Sequence, residues 1–519
     1  MHRLAKLTSS SPQVQQCLMV HPALQGLLLS ARVALAKSEA GGAPPQCQAL
    51  SNITWSLATL QCPDVELLQI AARLSCRHVA SFKPFELSAA LWAFAKLDAT
   101  DHAICAFATP LFEAAAQHIP ANVEQFSFRC LVMTAWAFAT AKQHKESLFR
   151  SIGAQMLPMV QSAQCLELSN AAWAFGAAAV RDDRLMAEVA RKSMRQLNDF
   201  KSQELSNLLW AFASTGFFRE DFFVASANVV QTMDLQPQQL ASSIWSIARL
   251  RPQHPAATAT VLALMPRCLS VMEALKPHEL AVIAAAAAKS FGRTVGSQQE
   301  VALPATAAQL PAPVLEFFEA ALPWIVGQAQ HFSDQSLATI ASAFVAVGLG
   351  AASSLYHCVG REVFLRAPTL ETSALLLLQR NLPAAPLGAC DAAVCCLFAE
   401  GARRFASFTP KDLKSLARTC AALRRAPPQG PALQPAALLQ VCVALSSEEA
   451  WSSMAVRPPV CFDVSSTGLD PCGPDGAREG GGAGAARTGR GFHDLPVEAG
   501  GISACSAAPA GLGDGQVAV

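Results

Sequence analysis

Amide, hydroxyl and basic side chains recur at two fixed positions of a segment that the chain repeats. Counted from the leading leucine of each copy, position +2 holds Asn52, Asn170, Asn207 and Ser242, and position +9 holds Thr59, Lys96, Thr140, Ser214, Arg249 and Lys289. Amides and hydroxyls can hydrogen-bond to base edges, and cations can meet phosphates. These positions therefore predict a surface with the chemistry of a nucleic-acid site.

The two positions share one side of a helix with position +6, because +2, +6 and +9 lie within about 60° of one another. Position +6 is alanine or serine in the copies that begin at Leu50 to Leu280, and such a small residue would let a base approach the backbone. The same pattern is also expected of the solvent-exposed side of an inner helix, where small residues allow tight packing between helices. The sequence leaves both interpretations open.

Residue sets for catalysis do not stand out. The sequence contains no HExxH motif and no CxxC pair, and neither paired carboxylates nor a Ser/His/Asp or Cys/His set is evident. Its 17 cysteines are typical of reduced, small core residues in a cytosolic or matrix compartment. We therefore predict a protein that is not an enzyme and that holds no metal and no cofactor.

The repeated segment is clearest as LSNITWSLATL from Leu50, LSAALWAFAKL from Leu87, LSNAAWAFGAA from Leu168 and LSNLLWAFAST from Leu205. With the copies at Leu131 and Leu240, it places six tryptophans 37, 44, 37, 37 and 35 residues apart. Copies without tryptophan begin at Leu280, Leu337, Leu375 and Leu413. A period near 38 residues predicts a helical repeat protein.

Each copy predicts an inner helix that is apolar around more than half of its circumference. Positions 0, +4 and +7 share one face, and the tryptophan at +5 widens it, so we expect the tryptophans to be buried between repeats. Prolines mark the predicted helix starts, and a more charged segment such as 183–196 supplies an outer helix. Two helices per unit predict an all-α fold, an α-solenoid of about ten helix pairs.

The predicted organisation has five parts. Residues 1–45 are a transit peptide or an N-terminal capping helix, because residues 1–38 contain basic residues and no acid. Residues 46–290 are repeats with a tryptophan core, 291–313 an inserted loop, 314–452 degenerate repeats, and 453–519 a disordered Gly/Ala-rich tail. Residues 336–360 have no charged side chain, but their register in the repeat favours a buried helix and turn over a membrane span.

The LSNxxWAFA core and the period near 38 resemble the octotricopeptide repeat proteins and the related helical repeats of the FAST-kinase-domain family. The resemblance covers residues 45–451 and implies binding of mitochondrial or plastid transcripts, with effects on their processing, stability or translation. Many such proteins end in a RAP domain, and no comparable segment follows Trp451. Kinase motifs are absent from the sequence as well.

Together these patterns predict a monomeric, sequence-selective, single-stranded RNA-binding protein of a mitochondrion or plastid, or otherwise of the cytoplasm. Further partners would be RNA-processing or ribosomal proteins, with no membrane involved. Because the net charge is only +1, the electrostatic field of the whole protein would not attract RNA. A local stripe of polar and basic side chains would have to hold it. The alternative is an α-solenoid scaffold that binds proteins and no RNA.

Overall fold

The computed structural model describes residues 1–8, 11–98, 103–292, 310–349, 353–382, 391–404 and 407–425. These residues form 22 α-helices and no strand, in two compact units that divide between Val271 and Met272. The predicted tail at 453–519, the end of the degenerate repeats at 426–452 and most of the predicted loop at 291–313 lie outside the described residues.

The first unit consists of two layers of helices. Its helices are α1 (His2–Thr8), α2 (Pro12–Met19), α3 (Pro22–Glu39), α4 (Cys47–Leu60), α5 (Val65–Arg77), α6 (Pro84–Asp98), α7 (Ala103–Ala121), α8 (Phe128–Thr140), α9 (Glu146–Met156), α10 (Cys165–Ala177), α11 (Asp183–Arg195), α12 (Ser202–Thr215), α13 (Glu220–Thr232), α14 (Pro237–Leu250) and α15 (Pro255–Ser270). The even-numbered helices from α4 to α14 pack on one another in chain order and form an inner layer, and the odd-numbered helices from α5 to α15 form an outer layer in the same way. Each inner helix also packs on the outer helix that follows it.

The second unit repeats this arrangement. Its helices are α16 (Pro277–Phe291), α17 (Ala312–Gln328), α18 (Asp334–Ala346), α19 (Ser353–Arg366), α20 (Thr372–Asn381), α21 (Asp391–Arg403) and α22 (Pro410–Arg425). The inner layer is α16, α18, α20 and α22, and the outer layer is α17, α19 and α21. Each of the ten leading leucines falls in its own inner helix, so the predicted all-α solenoid fold is confirmed.

The N-terminal helices extend both layers of the first unit. Helix α1 packs on the inner helix α4, and α3 packs on the outer helix α5. No single described helix is long and apolar enough to cross a membrane, whereas the pair Gln13–Met19 and Pro22–Glu39, bent by 63°, reaches the length and composition of a span.

The inner helices begin where proline and acidic residues predict. Pro84, Pro237, Pro277 and Pro410 are the first residues of α6, α14, α16 and α22, where the missing N–H costs no hydrogen bond. Three residues past the N-cap, a buried glutamate turns back to the backbone: the Lys201 N–H donates to Glu204 Oε2 at 3.0 Å. Lys83 with Glu86 and Lys276 with Glu279 repeat this contact. The carboxylate thus satisfies a backbone donor that the helix leaves open.

The core lies between the two layers. In α10 the leading Leu168, Ala172 at +4 and Phe175 at +7 are fully buried. Phe175 meets Phe149 of α9 edge to face, with ring centroids 5.2 Å apart. Positions 0, +4 and +7 are likewise buried in the copies that begin at Leu50 to Leu375, so the predicted face is the buried face of these inner helices.

Arginines near the ends of outer helices join consecutive repeats. In the second unit, Arg366 donates to the carbonyl oxygens of Phe332 at 2.7 Å and Gln330 at 3.1 Å. Arg404 reaches Ala367 O in the same way, at 3.1 Å, and Arg267 of the first unit donates to Met233 O. Each guanidinium thus holds carbonyls that follow the preceding outer helix, where backbone acceptors lack helical partners.

The buried thiol of Cys268 should resist alkylation in the folded protein. Burial raises the pKa of Cys268 to about 12, so almost none of it is thiolate at neutral pH. Cys17 is exposed and serves as the internal comparison. We expect iodoacetamide to label Cys17 within minutes and Cys268 only after denaturation, as read by peptide mass spectrometry. Equal labelling rates in native buffer would contradict the packing of α15.

Candidate functional site

The six repeat tryptophans are half-buried, and none belongs to the fully buried core. Four of them contact one another across repeats, as expected of a position between repeats, but all six stay partly accessible, so their burial is less complete than predicted. The reason is angular: position +5 lies about 140° from the leading leucine, on the side of the inner helix that faces away from the outer layer. Neighbouring inner helices cover the flanks of each helix and leave this side accessible.

Position +6 does not belong to the accessible side. Its residues are fully buried in the first unit: Ser56, Ala93, Ala137, Ala174, Ala211 and Ser246. They are small because the inner helices approach closely there. A Cβ added to Gly176 of α10 would lie only 3.1 Å from the Cα of Ala211 and 3.2 Å from Cζ3 of Trp210. The predicted stripe of +2, +6 and +9 is thus wrong at +6, which serves helix packing.

The side that remains accessible combines positions −2, +2, +5 and +9 of the inner helices α4 to α14, and we call it the open face. Its members follow a spacing of four, three and four residues, which places them on one side of a helix. Most of them are half-buried or exposed. No Asp or Glu occupies any of these positions. The open face therefore combines polar, basic and aromatic side chains with a few aliphatic ones, such as Met133 and Leu166, and its positions carry no negative charge.

Four indole rings form a continuous row along the open face, which we call the tryptophan ladder: Trp92, Trp136, Trp173 and Trp210. Successive ring centroids are 6.2, 6.2 and 6.3 Å apart, and successive planes are inclined by 37°, 31° and 30°. Each ring comes from a different inner helix, α6 to α12. The row therefore crosses four repeats through direct ring-to-ring contact.

Two cations of the predicted set lie beside indole rings. Lys96 Nζ is 4.9 Å from the Trp92 centroid, and the Arg249 guanidinium is 5.2 Å from the Trp245 centroid. Arg249 Nε also donates to Ala213 O of α12 at 3.0 Å. Burial lowers the pKa of Lys96 and that of Arg249 below their ordinary values. These groups are thus partly stripped of water, which strengthens their attraction to an anion.

The predicted +2 residues differ in accessibility. Asn52, Asn170 and Ser242 are half-buried on the open face, whereas Asn207 is buried. Asn207 Oδ1 accepts from Gln203 Nε2 at 2.8 Å, and Gln203 Oε1 in turn accepts from Gln239 Nε2 at 3.0 Å. This amide chain links α12 to α14. Asn207 therefore takes part in holding two repeats together.

The predicted hydroxyls at +9 lie on the same side. Thr140 and Ser214 are half-buried, and Thr59 is buried. Among the described residues, Oγ1 of Thr59 and Oγ1 of Thr140 have no hydrogen-bond partner, and neither does Nε1 of Trp173. These three atoms are themselves buried, so they lie beneath the accessible surface of the open face.

Lys289 is separate from the other predicted residues. It is exposed at +9 of α16, in the second unit, whereas the other nine lie in the first. The structure therefore gathers Asn52, Thr59, Lys96, Thr140, Asn170, Asn207, Ser214, Ser242 and Arg249 on the inner layer of one unit.

The partial exposure of the tryptophans and the exposure of two residues at −2 were not predicted from the sequence. Phe85 of α6 is 52% exposed, and Arg129 of α8 is exposed as well. The repeat pattern did contain this information, because positions −2, +2, +5 and +9 lie on the side of the helix opposite the leading leucine and the +7 residue. If the accessible side of the helix is taken as the side directly opposite that buried face, the predicted set of +2, +6 and +9 becomes +2, +5 and +9.

Comparison with protein-family models and with curated proteins gave no match to this chain. The resemblance to octotricopeptide repeats therefore stays a prediction from the repeated motif. Within the described residues, no group of three His, Cys, Asp or Glu side chains could hold a metal ion.

Proposed function

We propose that this chain binds single-stranded RNA on the open face of its first unit. The tryptophan ladder carries the proposal. Unpaired bases stack on aromatic side chains, and a row of half-buried rings that crosses four repeats offers a platform for successive bases. A base-paired duplex has its base faces covered by neighbouring pairs and cannot use such a platform.

The charge of the open face supports an anionic partner. No acid occupies its positions, and Lys96 and Arg249 lie against its indole rings. A basic peptide would meet like charge here and would find no carboxylate to pair with. The half-buried Asn52, Asn170 and Ser242 add hydrogen-bonding groups that can reach base edges. Thr59 and Asn207, being buried, contribute to the support of the face instead.

The resemblance to octotricopeptide repeats extends the proposal to organellar RNA. In this function the chain would act on the processing, stability or translation of mitochondrial or plastid transcripts. It would do so by occupying an unpaired segment.

The purified full chain should bind a labelled, unstructured RNA of twelve nucleotides more tightly than a hairpin duplex of the same length. Fluorescence anisotropy measures both affinities, and quenching of tryptophan emission by the unlabelled RNA reports stacking on indole rings. Equal affinity for the duplex, without quenching, would overturn the stacking platform. No binding of either RNA would make a protein-binding scaffold the better interpretation.

A further inference from the structure

The step of the tryptophan ladder constrains how a strand can lie on it. Consecutive rings are 6.2 to 6.3 Å apart, whereas stacked bases in one strand advance by about 3.4 Å. The distance between successive rings is thus nearly twice the distance between stacked bases. A base can rest on every ring only if the strand gives up its own base stacking and extends. A strand that kept its stacking would fall out of register with the rings after one step.

The ladder has a cation at each end. Lys96 belongs to α6, the helix of the first ring, and its ammonium lies over that ring. Arg249 belongs to α14, and its Nε reaches back to Ala213 O of α12, the helix of the last ring. Between them, position +9 holds the uncharged Thr140, Ala177 and Ser214. Positive charge on the +9 row therefore brackets the four rings.

We propose that the open face holds a short, extended run of about four unpaired nucleotides, one on each ring of the tryptophan ladder, with the flanking phosphates at Lys96 and Arg249. This inference rests on the proposed function and names its footprint. Because stacking uses the face of a base and not its edges, the four positions tolerate many sequences. Any selectivity comes from the neighbouring Asn170 and Ser242.

A length series tests the footprint. Oligonucleotides of two to twelve uridines are titrated against the full chain by competition anisotropy. We expect affinity to rise steeply up to about six nucleotides and to change little beyond that. With two phosphates neutralised in a single strand, the logarithm of the binding constant should fall with the logarithm of salt concentration with a slope of about −1.4.

Charge variants test the two ends. Lys96→Gln and Arg249→Gln should each reduce the magnitude of the salt slope by about 0.7, because each removes one phosphate contact. Arg150→Gln, an exposed arginine of the outer helix α9, is the matched control and should leave the slope unchanged. Circular dichroism of each variant establishes that the helices are retained.

The outcomes separate this inference from the proposed function. If no oligonucleotide of any length binds, the proposed function itself fails. If RNA binds but affinity keeps climbing steeply to twelve nucleotides, the footprint is wrong while RNA binding stands. A salt slope that is the same in Lys96→Gln, Arg249→Gln and the control overturns the assignment of the two ends.

Discussion

Replacing Phe175 by alanine should lower the free energy of unfolding by about 3–5 kcal/mol. Phe175 is fully buried in α10 and meets Phe149 of α9 edge to face, so its removal leaves a cavity between the inner and outer layers. Rigid helices on both sides limit how far the site can collapse. The loss should therefore include both the transfer of the ring to water and the cavity.

Chemical denaturation followed by circular dichroism measures this loss. Phe85→Ala is the matched control, because it removes the same side chain from a position that is 52% exposed in α6. A surface change of this kind is expected to alter stability by about 0.5 kcal/mol or less. Similar losses in the two variants would show that α10 does not bury its +7 face as the structure indicates.

Replacing Trp136 by leucine should weaken RNA binding by about 1–3 kcal/mol, or about 5- to 150-fold, because one stacking surface is lost from the middle of the ladder. Leucine keeps apolar contact with the neighbouring helices. The ring is only half-buried, so the variant should lose far less stability than Phe175→Ala does.

The matched control is Trp324→Leu. Trp324 is also half-buried and also contacts another ring, that of Phe332, but it lies on the outer helix α17 of the second unit. RNA affinity should not change in this variant. A Trp136→Leu protein that unfolds as easily as Phe175→Ala yet binds RNA normally would show that the tryptophans act in packing alone.

The fold was predictable from the sequence because it depends on patterns that repeat. A leucine every 35 to 57 residues is followed at +4 and +7 by apolar residues, except for Thr54 and Gln379 at +4. This pattern specifies a buried helical face, and each of the ten leucines lies in an inner helix. Prolines mark the helix starts because their missing N–H costs no hydrogen bond there, and N-terminal glutamates accept a hydrogen bond from the N-cap N–H. Both effects are local in sequence.

The candidate site was less predictable because it depends on which side of each helix its neighbours cover. A tryptophan at +5 and an alanine at +6 are both apolar, and they differ only by the 100° that separates consecutive residues. In the inner helices of the first unit, +6 is fully buried and +5 is only half-buried. The arginine contacts between outer helices were missed for the same reason, because residues such as Arg366 bind carbonyls about 35 positions earlier.

A methyl group at Gly176 would lie within 3.1 Å of Ala211 Cα and 3.2 Å of the Trp210 ring, so α10 and α12 are packed tightly at this point. The corresponding residues of α6 and α8 are Ala95 and Ala139. The ring spacing is nevertheless 6.2 Å at both alanines and 6.3 Å at the glycine. The regular distance between rings is therefore a property of the repeated inner layer as a whole, and the exchange of glycine for alanine in one repeat leaves the period of the row unchanged.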